Sequence, residues 1–280
     1  MTSEPVLPPE LERNIFETAA VRHPRFIPTL LRVARRCLVW IEPLLYKVVR
    51  GNNYLLAAAT LNAVRSKPPT FLHGAVRHLS LEIGYPWLGD VAKEVLAACT
   101  GVTDIIIDRS YALPAILPLL SAMRLQRLSV TLGYLFGSFA AIDLTHPLFA
   151  SLTHLDAFDE TENAEDNTIC AQIPLLPALT HLCLNGPVAW AQVETLLAEC
   201  PRLRVLAFVV PWPHTAQWVQ NGSIRDARLV VTAESNQNHW DYWRHWEIGA
   251  AGGRDVWAWA DEFVAKKRSG SIQVSRFWLG

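Results

Sequence analysis

A six-residue pattern, apolar-x-x-apolar-x-apolar, recurs along the middle of the chain: VRHLSL from 76, VTDIII from 102, LQRLSV from 125, LTHLDA from 152, LTHLCL from 179 and LRVLAF from 203. A weaker seventh copy, DARLVV from 226, has lost its first apolar residue. The starts of these copies lie 23 to 27 residues apart. A near-constant period of that length confines the chain to architectures in which one supersecondary unit stacks on the next, because a single unit cannot bury its apolar face alone.

Within each copy the fourth and sixth positions fall on one face of a strand, and the third, fifth and seventh on the other. The first face carries Leu79 and Leu81, Ile105 and Ile107, Leu128 and Val130, Leu155 and Ala157, Leu182 and Leu184, and Leu206 and Phe208. It is read as core, and the opposite face as open. Between the strands, WLGDVAKEVLAACTG, LPAILPLLSAM and VAWAQVETLLAECP have the spacing and stop signals of helical return segments. A strand, a helical return and a further parallel strand make an α/β solenoid. The segment DETENAEDNT from 159 to 168 reads as an acidic, solvated loop projecting from it.

The first fifty residues do not follow the repeat. VLPPELERNIFETAA opens on prolines suited to a helix entry and puts Leu11, Ile15 and Phe16 at helical spacing on one face. A second stripe follows the break at Pro24, and Pro43 interrupts it before LLYKVV. Three short helices of this size are marginal alone and need a partner or the adjoining solenoid. YLLAAATLNAVRS then reads as a helical linker running to the Pro68-Pro69 break, and the segment 254–268 as a helix that closes the coil.

The repeats resemble leucine-rich repeats, whose period is roughly 20 to 29 residues. Regular members carry Asn or Cys at the ninth position, whereas here it is Ser110, Gly133 or Glu160 among others, which implies variable turns and an irregular coil. LPPELERNIF resembles the opening of the F-box, and LLRVARRCLVWIEPLLYKVV its later part, with Ala34 and Cys37 standing where Cys and Trp are usual. HLSLEIGYPWL, IDLTHPLFASLTHLD and the C-terminal tail are similar to a large set of fungal F-box-like proteins with degenerate leucine-rich repeats. The resemblance implies an F-box-like helical domain over 1–50, a linker over 51–75 and a leucine-rich-repeat-like solenoid over 76–280 with a Trp-rich cap. It also implies a substrate receptor of a cullin-RING ubiquitin ligase, with Leu7, Pro8, Leu11, Ile15 and Phe16 on a Skp-type adaptor and the repeats on a protein target. Val33 and Leu38 would add to that contact or pack inside. The alternative is a repeat scaffold for protein interaction without a ligase.

Composition narrows the partners. With 25 basic and 26 acidic residues, and only AKKR at 265 to 268 as a basic cluster, a nucleic-acid partner is not expected. No apolar run reaches transmembrane length and the first residues lack the pattern of a signal peptide, so no membrane partner is expected either. The five cysteines have no paired spacing, which suits buried free thiols in the cytoplasm or nucleus.

Two constellations carry possible chemistry. His154 and His181 hold the same strand position in adjacent copies, with Asp156 and Cys183 at the next outward position, and together they have the residue types of a zinc site. The same column continues as His78, Asp104, Arg127, Val205 and Arg228, however, as expected of strands that simply display polar residues outward. No metal or other cofactor is expected, and His154, Asp156 and His181 are read as target-facing. The C-terminal third holds eight of the 11 tryptophans, and Trp243 and Trp246 share a helical face. They read as a terminal cap or as an aromatic hot spot for the target. Phosphate loops, GxSxG and HExxH are absent, GAAGG at 249 to 253 reads as a turn, and Asp104 and Asp108 as solvated, so no enzyme is expected.

Overall fold

The computed structural model describes residues 7–51, 53–82, 87, 89–160, 167–185, 188–211, 224–234 and 239–279. Among these are twelve α-helices and one eight-stranded sheet whose strands run in sequence order, all parallel. The strands are β1 (Val48–Arg50), β2 (His78–Leu81), β3 (Asp104–Ile107), β4 (Arg127–Val130), β5 (His154–Glu160), β6 (His181–Asn185), β7 (Val205–Pro211) and β8 (Leu229–Glu234). β2 to β8 are the seven copies of the sequence pattern.

Their register follows the pattern residue for residue. Val49, Leu79, Ile105, Leu128, Leu155, Leu182, Leu206 and Leu229 form one row across all eight strands, and every one of them is buried. A shift by one residue would turn the whole row to the opposite face, so burial of this row is what holds the register. The row forms one wall of the main core, and the return segments form the other.

The returns differ from one unit to the next. α4 (Tyr54–Ser66) and α5 (Pro69–Ala75) join β1 to β2, α6 (Asp90–Ala98) joins β2 to β3, and α7 (Leu117–Ser121) joins β3 to β4. α8 (Leu132–Phe136) follows β4, α9 (Asn167–Gln172) follows β5, and α10 (Trp190–Glu199) follows β6. Both described ends of the expected acidic loop belong to regular elements. Asp159 is buried at the end of β5, where it accepts hydrogen bonds from the amides of Leu132 and Gly133 at 2.7 and 2.8 Å, and α9 begins at Asn167. Residues 161–166 lie outside the described residues.

The N-terminal helices α1 (Pro9–Arg22), α2 (Ile27–Leu30) and α3 (Arg35–Ile41) enclose a small core of their own, Ala20, Ile27, Cys37 and Ile41. Pro9 starts α1 at a position that needs no amide donor, and Glu10 and Glu12 in its first turn with Arg22 in its last suit the helix dipole. The unit is tied to the linker by the Lys67–Glu42 ion pair and by Tyr46 packed edge-on against Phe71. β1 lies inside the stretch read from sequence as helical. Val48–Arg50 is too short to show a period, and only the edge of β2 makes it a strand.

A larger difference concerns the sheet face read as open. α11 (His239–Ala250) and α12 (Val256–Arg268) lie across it, so the C-terminal segment covers a face as well as closing the last repeat. The covered strand residues include Val205, Ala207 and Val230, which pack with Trp257, Ala260, Phe263 and Val264 into a second core. Trp212 and Trp218, and the side chain of Trp240, lie outside the described residues. The tail then runs beside β8, where Val231 and Leu279 exchange backbone bonds with Phe277 and Val231, shielding an edge that would otherwise template further pairing.

Candidate functional site

The covered face is polar where it meets α11. Its two side-chain rows are His78, Asp104, Arg127, His154, His181 and Val205, then Arg50, Ser80, Ile106, Ser129, Asp156, Cys183, Ala207 and Val230. Residues four apart on α11 reach down to both rows. Tyr242 donates its one hydroxyl proton to Asp156 and accepts from the Ser129 hydroxyl, and one turn later the Trp246 indole donates to Asp104 at 2.9 Å. Glu247 completes the line by pairing with Arg50 at 2.7 Å. Asp104 and Asp108, read from sequence as solvated, are buried.

α12 covers the next strands. Asp255 caps its N-terminus by accepting from Ala258, and pairs with Arg127 at 2.7 Å. The GAAGG turn makes this approach possible, since a Cβ on Gly249 would sit 2.6 Å from Asp255. His154 and His181 stack with ring centroids 4.0 Å apart, and Trp257 stands edge-on over both. Asp261 accepts from His181 Nε2 at 3.3 Å. The pair is therefore an internal stack under a tryptophan and not a surface patch. His, Cys, Asp and Glu form no cluster of three suited to a metal ion among the described residues.

The five residues read as target-facing are thus engaged within the fold. His181, Asp156 and Trp243 are buried, His154 lies in the stack, and Trp246 is bonded to Asp104. The strand period places polar residues on this face and says nothing of what lies over it. One signal was present: VLAFVV and LVVTA are nearly continuous apolar runs, as in strands buried on both faces. Tyr242, Trp257 and Asp261 were not singled out from sequence, because nothing local marks them, and Asp255 carries only the signal of a helix N-cap, which says nothing of Arg127. Lys267 is buried too, between the Phe263 and Phe277 rings and donating to the Leu229 carbonyl at 2.6 Å, where it anchors α12 to β8.

Burial controls the electrostatics. Burial, then His181 and the charges of Arg127 and Arg204, lower His154 to about 2. His181 is lowered by burial, against the pull of Asp261. Burial raises Asp156 to about 6, although the Tyr242 hydroxyl and the Cys183 thiol stabilise its charge. Asp156 Oδ2 takes the Tyr242 bond, while Oδ1 is closed to solvent and has no adequate hydrogen-bond partner, a thiol being only a weak donor.

These shifts oppose each other in acid. An unfolded histidine takes up a proton below 6.5 while folded His154 stays neutral to about 2, so stability falls with falling pH across that window, by about 1.4 kcal/mol per unit. Asp156 binds its proton earlier when folded, so from about 6 down to 3.8 it contributes a gain of similar slope. Asp156→Asn removes that gain. Urea unfolding between about pH 6 and pH 4 is expected to show the variant losing stability more steeply than the native chain, by about 1.4 kcal/mol per unit. Parallel profiles would mean that Asp156 is already ionised like a surface carboxyl.

The N-terminal helices present a different surface. Eleven of the sixteen exposed large apolar side chains among the described residues lie between residues 7 and 55. Leu7, Leu11 and Ile15 are 42%, 52% and 55% exposed, and Pro8 beside them is exposed. Phe16 differs from the sequence reading. It turns inward with Ala20 and packs near Trp40, since one residue beyond Ile15 is a rotation of about 100° around the helix. Val33, Leu38 and Val39 add exposed apolar surface around α3. No helix among the described residues is long and apolar enough to cross a membrane.

No protein-family model matches this chain, and no curated protein matches it either. The α/β fold, with helices on both faces of a parallel sheet, is therefore established from the chain's own geometry.

Proposed function

We propose that this chain is an F-box-like substrate receptor of a cullin-RING ubiquitin ligase, whose N-terminal helices dock on a Skp-type adaptor. The observation that carries the reading is the outward row of Leu11 and Ile15 on α1, with Leu7 just before the helix, all exposed although a folded core lies directly behind them. A helix that merely capped the sheet would spend its apolar residues inward; this one spends Phe16 and Ala20 inward and keeps the others out. Burying each such side chain contributes about 1.5 to 3 kcal/mol before association costs are subtracted. The leucine-rich-repeat character of the strands, and a role in binding rather than catalysis, belong to the same reading. A protein target would be met on the outer side of the C-terminal layer, where Ile248 and Trp259 stand exposed, because the sheet face is covered.

The test is co-purification with a Skp-type adaptor. The native chain is expected to retain the adaptor, and Leu11→Asp with Ile15→Asp to lose it at unchanged circular dichroism, since both side chains point away from the core. A native chain that retains no adaptor where a standard F-box protein does would leave a repeat scaffold without ligase involvement.

A further inference from the structure

A cavity of about 1040 Å³ lies between the sheet and helices α11 and α12. Every strand from β3 to β8 contributes to its floor, so it is a slot, and five spacings of about 4.8 Å make it about 24 Å long. Spread over that length, the volume leaves a mean cross-section of about 40 Å², about half that of an α-helix and enough for one chain or one flat ring system. The floor residues nearest the C-terminal ends of the strands, Thr131, Phe158, Asn185, Val209 and Thr232, are partly exposed, so a ligand in the slot can touch them.

Five basic side chains line the slot against five carboxylates, so its walls carry no net charge. Most of these groups are engaged within the fold. Arg127 holds Asp255 at 2.7 Å, and Arg254 and Lys266 share Glu262. Asp104 accepts from Trp246, Asp108 from Ser110 and Asp156 from Tyr242, while Arg109 and Arg276 stand exposed to water. A charged ligand would give up its hydration with no free counter-charge inside to replace it. The rest of the wall is apolar, with Phe158, Val209 and Val230 on the sheet and Trp246, Trp257 and Trp259 on the helices. Thr131 and Thr232, four strands apart, add hydroxyls that bond nothing among the described residues. An extended peptide does not suit the slot, because the floor strands pair with one another and offer no row of backbone groups to a peptide backbone.

We propose that the slot binds an elongated, uncharged and largely apolar molecule carrying a hydroxyl group, the chemistry shared by a long-chain alcohol and a sterol. Its body lies between the floor of Phe158, Val209 and Val230 and the tryptophans of α11 and α12, and its hydroxyl meets Thr131 or Thr232 at an end. Burial of apolar surface supplies the affinity, and the one polar contact sets the direction of the molecule. The slot shares no residue with the exposed row of α1, so this site stands or falls independently of adaptor binding.

The experiment titrates the full chain with diphenylhexatriene, an uncharged rod-shaped dye, and reads its emission by energy transfer from tryptophan. Saturation at one dye per chain is expected. Decanol and pregnenolone then compete for it, beside the charged chains decanoate and decyltrimethylammonium. Displacement by decanol identifies an alkyl chain as sufficient, and displacement by pregnenolone alone identifies a ring system. The two charged chains are expected to compete at least tenfold more weakly than decanol. Val209→Trp fills the slot from its partly exposed floor and is expected to weaken dye binding at least tenfold at unchanged circular dichroism; if it does not fold, Thr232→Trp takes its place. Leu55→Asp, at the most exposed large apolar side chain among the described residues, is expected to bind like the native chain. The proposal is overturned if the dye does not saturate, if neither uncharged competitor displaces it, or if a charged chain displaces it as well as decanol does. It is equally overturned if Leu55→Asp loses the dye, or if a folded slot variant keeps it.

Discussion

Leu182→Asp is expected to unfold the chain or nearly so, with a loss of about 4 kcal/mol or more. Leu182 stands inside the eight-residue row that sets the register, fully buried between Leu155 and Leu206. A carboxylate there has no donor within reach and removes apolar contacts from two neighbouring units at once. Thr180→Asp, two residues earlier, is the control. Thr180 is partly exposed and gives up its hydroxyl contacts with the Thr153 carbonyl and with His181 Nδ1, a change of about 1 to 2 kcal/mol. Thermal unfolding followed by circular dichroism separates the two; equal melting temperatures would mean that the row does not hold the sheet together.

Arg50→Ala is expected to cost about 3 to 5 kcal/mol, because it strands a buried charge. Arg50 forks onto both oxygens of Glu82 at 2.8 and 2.7 Å, and Glu82 is 4% exposed. Attraction to Glu82 is the leading reason why Arg50 is raised above the ordinary range for arginine. Its third contact is Glu247, so the substitution also frees the C-terminal end of α11 from β1. Lys at this position restores the charge without the fork and is expected to recover part of the loss. Urea unfolding measures the cost, and amide exchange along α11 measures the release. A change below about 1 kcal/mol, with α11 still protected, would show that water takes over the role of Arg50.

Much of the frame was legible before any coordinates. The row through Leu79, Ile105, Leu128, Leu155, Leu182, Leu206 and Leu229 is the repeat itself, because strand alternation is a local property that a sequence records directly. The helix over Tyr54–Ser66 and the helix over Val256–Arg268 were readable for the same reason, each having apolar spacing and terminal signals within a dozen residues. Where a segment was too short for a period, as at Val48–Arg50, the reading continued the preceding helix.

The candidate site was legible only as a list of residue types. His154 and His181 were placed side by side by the repeat, and they stack, but the tryptophan above them comes from 76 and more residues further along the chain. Tyr242 meets Asp156 across 86 residues, Trp246 meets Asp104 across 142, and Glu247 meets Arg50 across 197. Those separations explain the division. The sequence alone determined which strand residues share a face and in what register, since each choice repeats every two residues within a strand and every 23 to 27 along the chain. Only the tertiary structure decided that the polar face is covered, that Phe16 turns in while Leu11 and Ile15 stay out, and that Asp156 is closed off from solvent beneath Tyr242. Each of those outcomes depends on the shape of surfaces meeting once, and a single meeting leaves no period in a sequence.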